Sequence, residues 1–336
     1  MLSEEEKSFS EVYKMNEEDF INEINQYKEN SLGLLNSTEN LSEEFKIQEL
    51  KELEYELVGN HENYKGYYIY LTSVKDFDVS NDFYNSLENI NYTDTSEYRI
   101  SKGYQQMLLI HYGRLSDENS DSEGYSKALS FLQNVDSSLP DGYAKDNLMK
   151  SFLKYNLKAD ESLVKVYELF SNANTNPEYL SELTKRYNLL KTITPGKKSP
   201  VFEYENFKGG TTSLNDLKGK YVYVDVWATW CGPCKREIPH LKKIENDFEK
   251  KNIAFISVSI DEKKDYDKWR AMITEKELSG IQLFADNDWS SKFVKDYGIK
   301  GIPRFILIDK EGNIVSSDAP KPSDSGLMNL FESLDI

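Results

Sequence analysis

One stretch constrains this chain more than any other: Tyr221-Val-Tyr-Val-Asp-Val-Trp-Ala-Thr-Trp-Cys231-Gly-Pro-Cys234-Lys-Arg-Glu237-Ile-Pro239. The β-branched apolar run from Tyr221 to Val226 reads as a buried strand, and Pro233 is a residue suited to the first turn of a helix. A strand that turns directly into a helix with Cys231 at its N-terminus is therefore expected. Cys231 and Cys234 are the only 2 cysteines of the chain. Two thiols at that spacing, and no others, point to redox chemistry.

At a helix N-terminus the unsatisfied backbone N–H groups and the helix dipole favour a thiolate over a thiol. In such Cys-X-X-Cys arrangements the first cysteine's pKa falls from about 8.5 to between about 3.5 and 7.5. Cys231 is then the attacking thiol and Cys234, one turn along, the thiol that resolves the mixed disulfide. Lys235 and Arg236 add local positive charge. Two other readings of the pair stay open. A structural zinc site needs four ligands, and only His240 lies nearby, since His61 and His111 belong to the N-terminal region. A purely structural disulfide is the other, although so short a loop constrains the unfolded chain little.

The segment Asp225-Val-Trp-Ala-Thr-Trp-Cys-Gly-Pro-Cys-Lys-Arg-Glu-Ile-Pro239 resembles the thioredoxin superfamily, and within it the TlpA/ResA-like branch of bacterial envelope thiol-disulfide oxidoreductases. Gly301-Ile302-Pro303, followed by Arg304-Phe-Ile-Leu-Ile-Asp309 and Lys310-Glu-Gly-Asn313, is similar to the family's cis-proline loop and the β-hairpin after it. The resemblance covers roughly residues 196–336 and leaves 1–195 without a signature. It implies a central mixed sheet with helices on both faces, and no cofactor beyond a redox-active Cys231–Cys234 disulfide. It further implies that Trp230 flanks the active site, that Gly232 and Pro233 between the cysteines face substrate, and that Ile302 and Pro303 offer a carbonyl to an extended substrate segment. Pro303 itself cannot donate an N–H.

Two carboxylates accompany the thiols. Asp225 stands on the apolar strand, where an ionised group is costly without a partner or a function; it matches the buried aspartate of ordinary thioredoxins. Glu237, one helical turn past Cys234, matches the active-site glutamate of the TlpA/ResA-like branch. Either can move the proton of Cys234. Asp225 is expected to be buried below the pair, and Glu237 to tune the thiols from a more exposed place. An ordinary solvated helix position remains an alternative for Glu237.

Elsewhere the pattern sets the organisation. The chain has 336 residues and a net charge of −17. Residues 196–336 hold 22 basic and 23 acidic residues, so nearly all of the negative charge lies in 1–195. That asymmetry predicts two units, and such acidity argues against nucleic acid or an anionic membrane surface as partner. The boundary reads at Thr194-Pro-Gly-Lys-Lys-Ser-Pro200. Beyond it, strands are expected at 201–207, 221–226 and 253–260, with helices at 233–250, 265–276 and 289–297 and a last one from about Ser323; this alternation predicts an α/β sheet. The region before it reads as mainly α-helical, with Asn176-Pro177 as a helix start. Its tyrosine-rich stretch, Tyr64 to Tyr70, is expected on half-buried helix rims or a short strand, with a partner surface as the alternative.

No stretch approaches the roughly 18 consecutive apolar residues of a membrane span, and Met1-Leu-Ser-Glu-Glu-Glu lacks the features of a signal peptide. Taken literally, that makes a cytosolic protein; the resemblance instead implies the periplasm or cell envelope, and the expectation that reconciles the two is a signal or lipoprotein anchor trimmed from this sequence. The expectation is an enzyme that exchanges thiols and disulfides. Gly232-Pro233 is the dipeptide of reducing thioredoxins, whose potential is about −270 mV against about −120 mV for a strong oxidant, so reduction of protein disulfides is favoured over oxidation or peroxidase chemistry. Its partners are then protein disulfide substrates and an upstream thiol reductant. The alternative is a binding protein whose helical N-terminal domain does the work over a thioredoxin-like scaffold.

Overall fold

The computed structural model describes residues 7–118, 126–334 and 336. Residues 1–6, read above for leader features, lie outside the described residues. The described chain packs as two compact units, residues up to 157 with 165–181, and residues 158–164 with 182–336.

The first unit is helical: α1 (Phe9–Val12), α2 (Glu17–Ser37), α3 (Glu43–Thr72), α4 (Thr95–Ile100), α5 (Lys102–Asp117), α6 (Lys127–Ser138), α7 (Tyr143–Asn156) and most of α8 (Leu163–Ala173). Side-chain caps set several of the starts. Asn16, Ser42, Asp94, Ser101 and Ser126 each accept a backbone N–H of the following first turn, satisfying groups a helix cannot pair by itself. The tyrosine-rich stretch lies within α3, and no part of it is a strand. Tyr64 is fully buried, with its hydroxyl donating to the Met15 carbonyl at 2.7 Å, whereas Tyr70 is exposed. The helix α9 (Pro177–Leu190) begins at the expected place, where Asn176 Oδ1 accepts the N–H groups of Glu178 and Tyr179. The division between the units falls inside it.

The second unit is built on strands β1 (Glu203–Asn206), β2 (Thr211–Ser213), β3 (Tyr221–Trp227), β4 (Ile253–Ser259), β5 (Ile281–Phe284), β6 (Arg304–Ile308) and β7 (Ile314–Ser316). They form one seven-stranded mixed sheet in the order β2-β1-β5-β4-β3-β6-β7. Strands β3, β4 and β5 are mutually parallel, and β6 returns antiparallel beside β3. Helices α10 (Gly232–Asp247), α11 (Tyr266–Glu275), α12 (Lys292–Asp296) and α13 (Ser325–Ser333) complete the unit, which has the expected α/β, thioredoxin-like class. Every residue of β3 after Tyr221 is buried, so both faces of the sheet are covered. Tyr223, Phe255, Phe305 and Leu307 form one core with Leu241, Ile244, Leu327 and Phe331 of α10 and α13.

Three expected helices differ in extent. The helix at 233–250 ends at Asp247, and the last helix starts at Ser325. The helix expected over 289–297 is confined to Lys292–Asp296: Asp288–Ser290 form a separate 3-10 turn, and Ser291, with φ −51° and ψ 140°, leaves the helical region just before Lys292.

Candidate active site

Strand β3 delivers the chain to a short loop, Ala228-Thr-Trp230, and α10 begins immediately after Cys231. Cys231 is the N-cap residue and is disulfide-bonded to Cys234, with their Cα atoms 5.3 Å apart. The Cys234 backbone N–H donates to Cys231 Sγ at 3.1 Å, so a sulfur does what a serine or aspartate oxygen does at an ordinary N-cap. Exposure does not distinguish the two sulfur residues, contrary to the expectation that Cys231 is the open one: each is 3% exposed. Position on the helix distinguishes them. Only Cys231 lies ahead of the first turn, where the orphan N–H groups converge.

The loop is fixed from behind by a residue the sequence reading passed over. Asp261, 1% exposed, accepts the Thr229 N–H on both carboxylate oxygens at 3.1 and 3.0 Å, and the Thr229 hydroxyl at 2.7 Å. The Ser259 hydroxyl donates to it as well, at 2.7 Å. An acid two residues past the apolar strand 253–259 was the available signal. Gly232 is half-buried and Pro233 exposed, and Trp230 projects from the loop at 53% exposure. Its ring centroid is 6.3 Å from that of Trp289, an exposed aromatic that was read only as a helix start.

Pro303 comes to the same end of the sheet by register. Val226 pairs with Arg304 across β3 and β6, so Ile302 and Pro303 stand beside the end of β3 from which the cysteine loop departs. The Ile302–Pro303 peptide is cis.

The two carboxylates occupy different surroundings, and the exposed position expected for Glu237 is not what the fold provides. Both are 8% exposed. Glu237 is covered by the segment before α13: the Ser323 N–H and hydroxyl each donate to one of its oxygens at 2.9 Å, and Lys321 Nζ approaches to 3.7 Å. Asp225 has no such partners, and its Oδ1 is buried without a hydrogen bond. Burial pushes its carboxyl up to about 8, and the like charges of Glu245 and then Glu237 add to the push. Glu245 was not singled out from the sequence. The signal was there, because Leu241, Ile244 and Phe248 mark the apolar face of α10, and Glu237 and Glu245 lie four residues either side of Leu241.

Among the described residues no group of three or more His, Cys, Asp or Glu stands together as a metal site, and His240 is exposed on α10. No described helix is long and apolar enough to cross a membrane.

Residues 195–317 match the AhpC/TSA family. The thiol-disulfide oxidoreductase ResA of Bacillus anthracis is 31% identical over 120 residues, which cover 36% of this chain and 66% of that protein. ResA of Bacillus subtilis (strain 168) is 29% identical over 125 residues, covering 37% and 67%. The chain thus spans about two thirds of the length of these relatives. Among solved structures, the thioredoxin domain of a Bacteroides vulgatus thiol-disulfide oxidoreductase is 34% identical and matched over 97% of its length and 42% of this chain, with a TM-score of 0.38. A thiol-disulfide oxidoreductase from Bacteroides fragilis NCTC 9343 is 28% identical over 99% of its length and 41% of this chain, also with a TM-score of 0.38.

Proposed function

From the premise that the C-terminal part of this chain is a thioredoxin-like domain of the AhpC/TSA family, homologous to ResA thiol-disulfide oxidoreductases, we propose that the protein reduces protein disulfides in the bacterial cell envelope. The observation that carries the reading is the Cys231–Cys234 disulfide at the N-terminus of α10, with Cys231 as the cap. In the reduced protein Cys231 attacks one sulfur of a substrate disulfide and releases the other as a thiol. Cys234 then attacks Cys231 Sγ, breaks the mixed disulfide and frees the second substrate thiol. Two electrons leave the protein for the substrate, and an upstream dithiol restores the pair. Trp230, Gly232, Pro233, Ile302 and Pro303 supply the surface on which an extended substrate segment rests, and Asp225 and Glu237 serve the proton of Cys234.

The helical unit is proposed to position substrate or partner. Its support is an open groove of about 690 Å³ lined by Tyr27, Leu34, Phe45 and Leu53 and bordered by Glu49 and Glu56. Such a groove suits an apolar segment carrying basic residues.

Insulin reduction in the presence of dithiothreitol tests the activity. Wild-type protein is expected to accelerate it. Cys231→Ser is expected to abolish the acceleration, while Cys234→Ser accumulates a mixed disulfide on Cys231. If the remaining thiol of Cys231→Ser is alkylated at lower pH than that of Cys234→Ser, the roles are reversed.

A further inference from the structure

Beneath α10 a polar row crosses the sheet. Asp225 of β3 pairs with Ser257 of β4, and Ser257 pairs with Gln282 of β5, so the three side chains share one face of three adjacent strands. The row is enclosed by Trp227 from β3, by Leu241, Lys242 and Glu245 from α10, and by Ser279 from the loop before β5. The space among them is about 10 Å³ for a water centre. That is close to what one water needs, and a water requires two to four polar partners. Three of the lining residues have one to give: Asp225 Oδ1, Trp227 Nε1 and Gln282 Oε1 are all buried without a hydrogen bond. At the outer end stands Glu245, half-buried, its carboxylate accepting the Ser279 hydroxyl and lying 2.6 Å from where a Cβ on Gly280 would be.

We propose that this row is a proton conduit, in which one bound water links Asp225 to Glu245 and Glu245 passes the proton of Asp225 to solvent. The inference rests on the oxidoreductase reading and adds a positioning residue that acts through Asp225. Asp225 holds a proton at neutral pH, so it first passes that proton through the water and Glu245 to solvent; when Cys234 then attacks Cys231 Sγ, its thiol proton moves to the Asp225 carboxylate. The Cys231–Cys234 bond forms, the mixed disulfide breaks, and the departing substrate thiolate takes a proton from water. Asp225 must give up that first proton within the same turnover, while the mixed disulfide is in place. It is nearly sealed at 8% exposure, and the substrate joined to Cys231 is proposed to lie on the disulfide side. An exit on the opposite side lets proton release proceed while substrate is still seated.

The charged and titratable groups facing the carboxyl pair are few. Tyr223 comes from β3, and Glu237 and Lys242 from α10, with Lys321 on Glu237 from the segment before α13. Strands β4 and β5 contribute Ser257 and Gln282, which do not titrate. Burial raises both Asp225 and Glu245, which brings each nearer to a thiol in proton affinity, as a relay requires.

Single-turnover stopped flow on the reduced 336-residue protein, with a disulfide-bonded peptide and tryptophan fluorescence as the readout, separates attack from resolution. Glu245→Ala is expected to leave attack unchanged and to slow resolution about tenfold, within the range of a lost proton-transfer group. Added imidazole, a small diffusing base, is expected to restore resolution in proportion to its concentration, and to do nothing to the wild type. Glu245→Asp is expected to keep most of the wild-type rate. Resolution at the wild-type rate in Glu245→Ala, or slow resolution indifferent to imidazole, would overturn the conduit while leaving the oxidoreductase reading intact. Wild-type protein that forms no mixed disulfide would instead remove that reading, and the conduit with it.

Discussion

Asp225 is the residue whose energetics most clearly oppose folding. Its carboxyl ordinarily titrates near 3.8 and is pushed up to about 8 by burial, with Glu245 and Glu237 as further causes. The folded protein therefore holds a proton that the unfolded chain gives up. Well below pH 4 both states are protonated and the difference in ionisation costs nothing. From pH 4 to about 8 the unfolded chain gains ionisation that the folded protein does not, so stability falls across that window. Asp225→Asn keeps the shape and removes the titration. We expect it to flatten the decline and to be more stable than wild type at pH 8 by several kcal/mol, as read from urea midpoints across pH. A wild-type stability that rises between pH 4 and 8, with no difference in the variant, would contradict this account.

At the level of elements, the loop between β3 and α10 owes its shape to Asp261, which gathers two N–H···O contacts and two hydroxyls from Thr229 and Ser259. Asp261→Ala leaves those buried donors unpaired, each at about 1–3 kcal/mol. Thermal unfolding should show a loss of that order, and Cys231 should alkylate over a shifted pH range because its N-cap geometry is no longer held. Loss of stability with an unmoved alkylation profile would reduce Asp261 to a fold residue. This network also marks where sequence legibility stops. The strand-to-helix turn at Cys231 was readable because β-branched apolar residues, a proline and the cysteine spacing all act within a dozen positions. The burial of Glu237 was not, since Ser323 covers it from 86 residues away. The row Asp225, Ser257 and Gln282 depends on the register of three strands, which no local pattern specifies. Helix ends were misjudged by a few residues where a single dihedral, such as the ψ of 140° at Ser291, decided the matter.

On the scale of the whole molecule, the Pro195-Gly196 interruption and the division by compactness do not coincide. Residues 182–195 pack with the sheet-containing unit, where Ile193 is fully buried and a Leu189 methyl lies 2.8 Å from where a Cβ on Gly298 would be. We therefore expect a fragment of residues 182–336 to melt higher than one of residues 196–336. The loss reflects the buried apolar side chains removed, at about 1.5–3 kcal/mol each. Equal melting temperatures would mean that the segment contributes nothing. Both fragments should still reduce insulin if the helical unit serves partner choice alone.

The sheet itself ends in two very short strands, β2 and β7, of three residues each. An unpaired strand edge is a template on which foreign extended chains nucleate aggregation, and short edges offer little of it. A protein proposed to handle unfolded, cysteine-bearing segments meets that hazard with every client. Here the borders of the sheet give a client almost nothing to zip onto, so a segment proposed to settle beside Pro303 would leave again once its sulfurs are free.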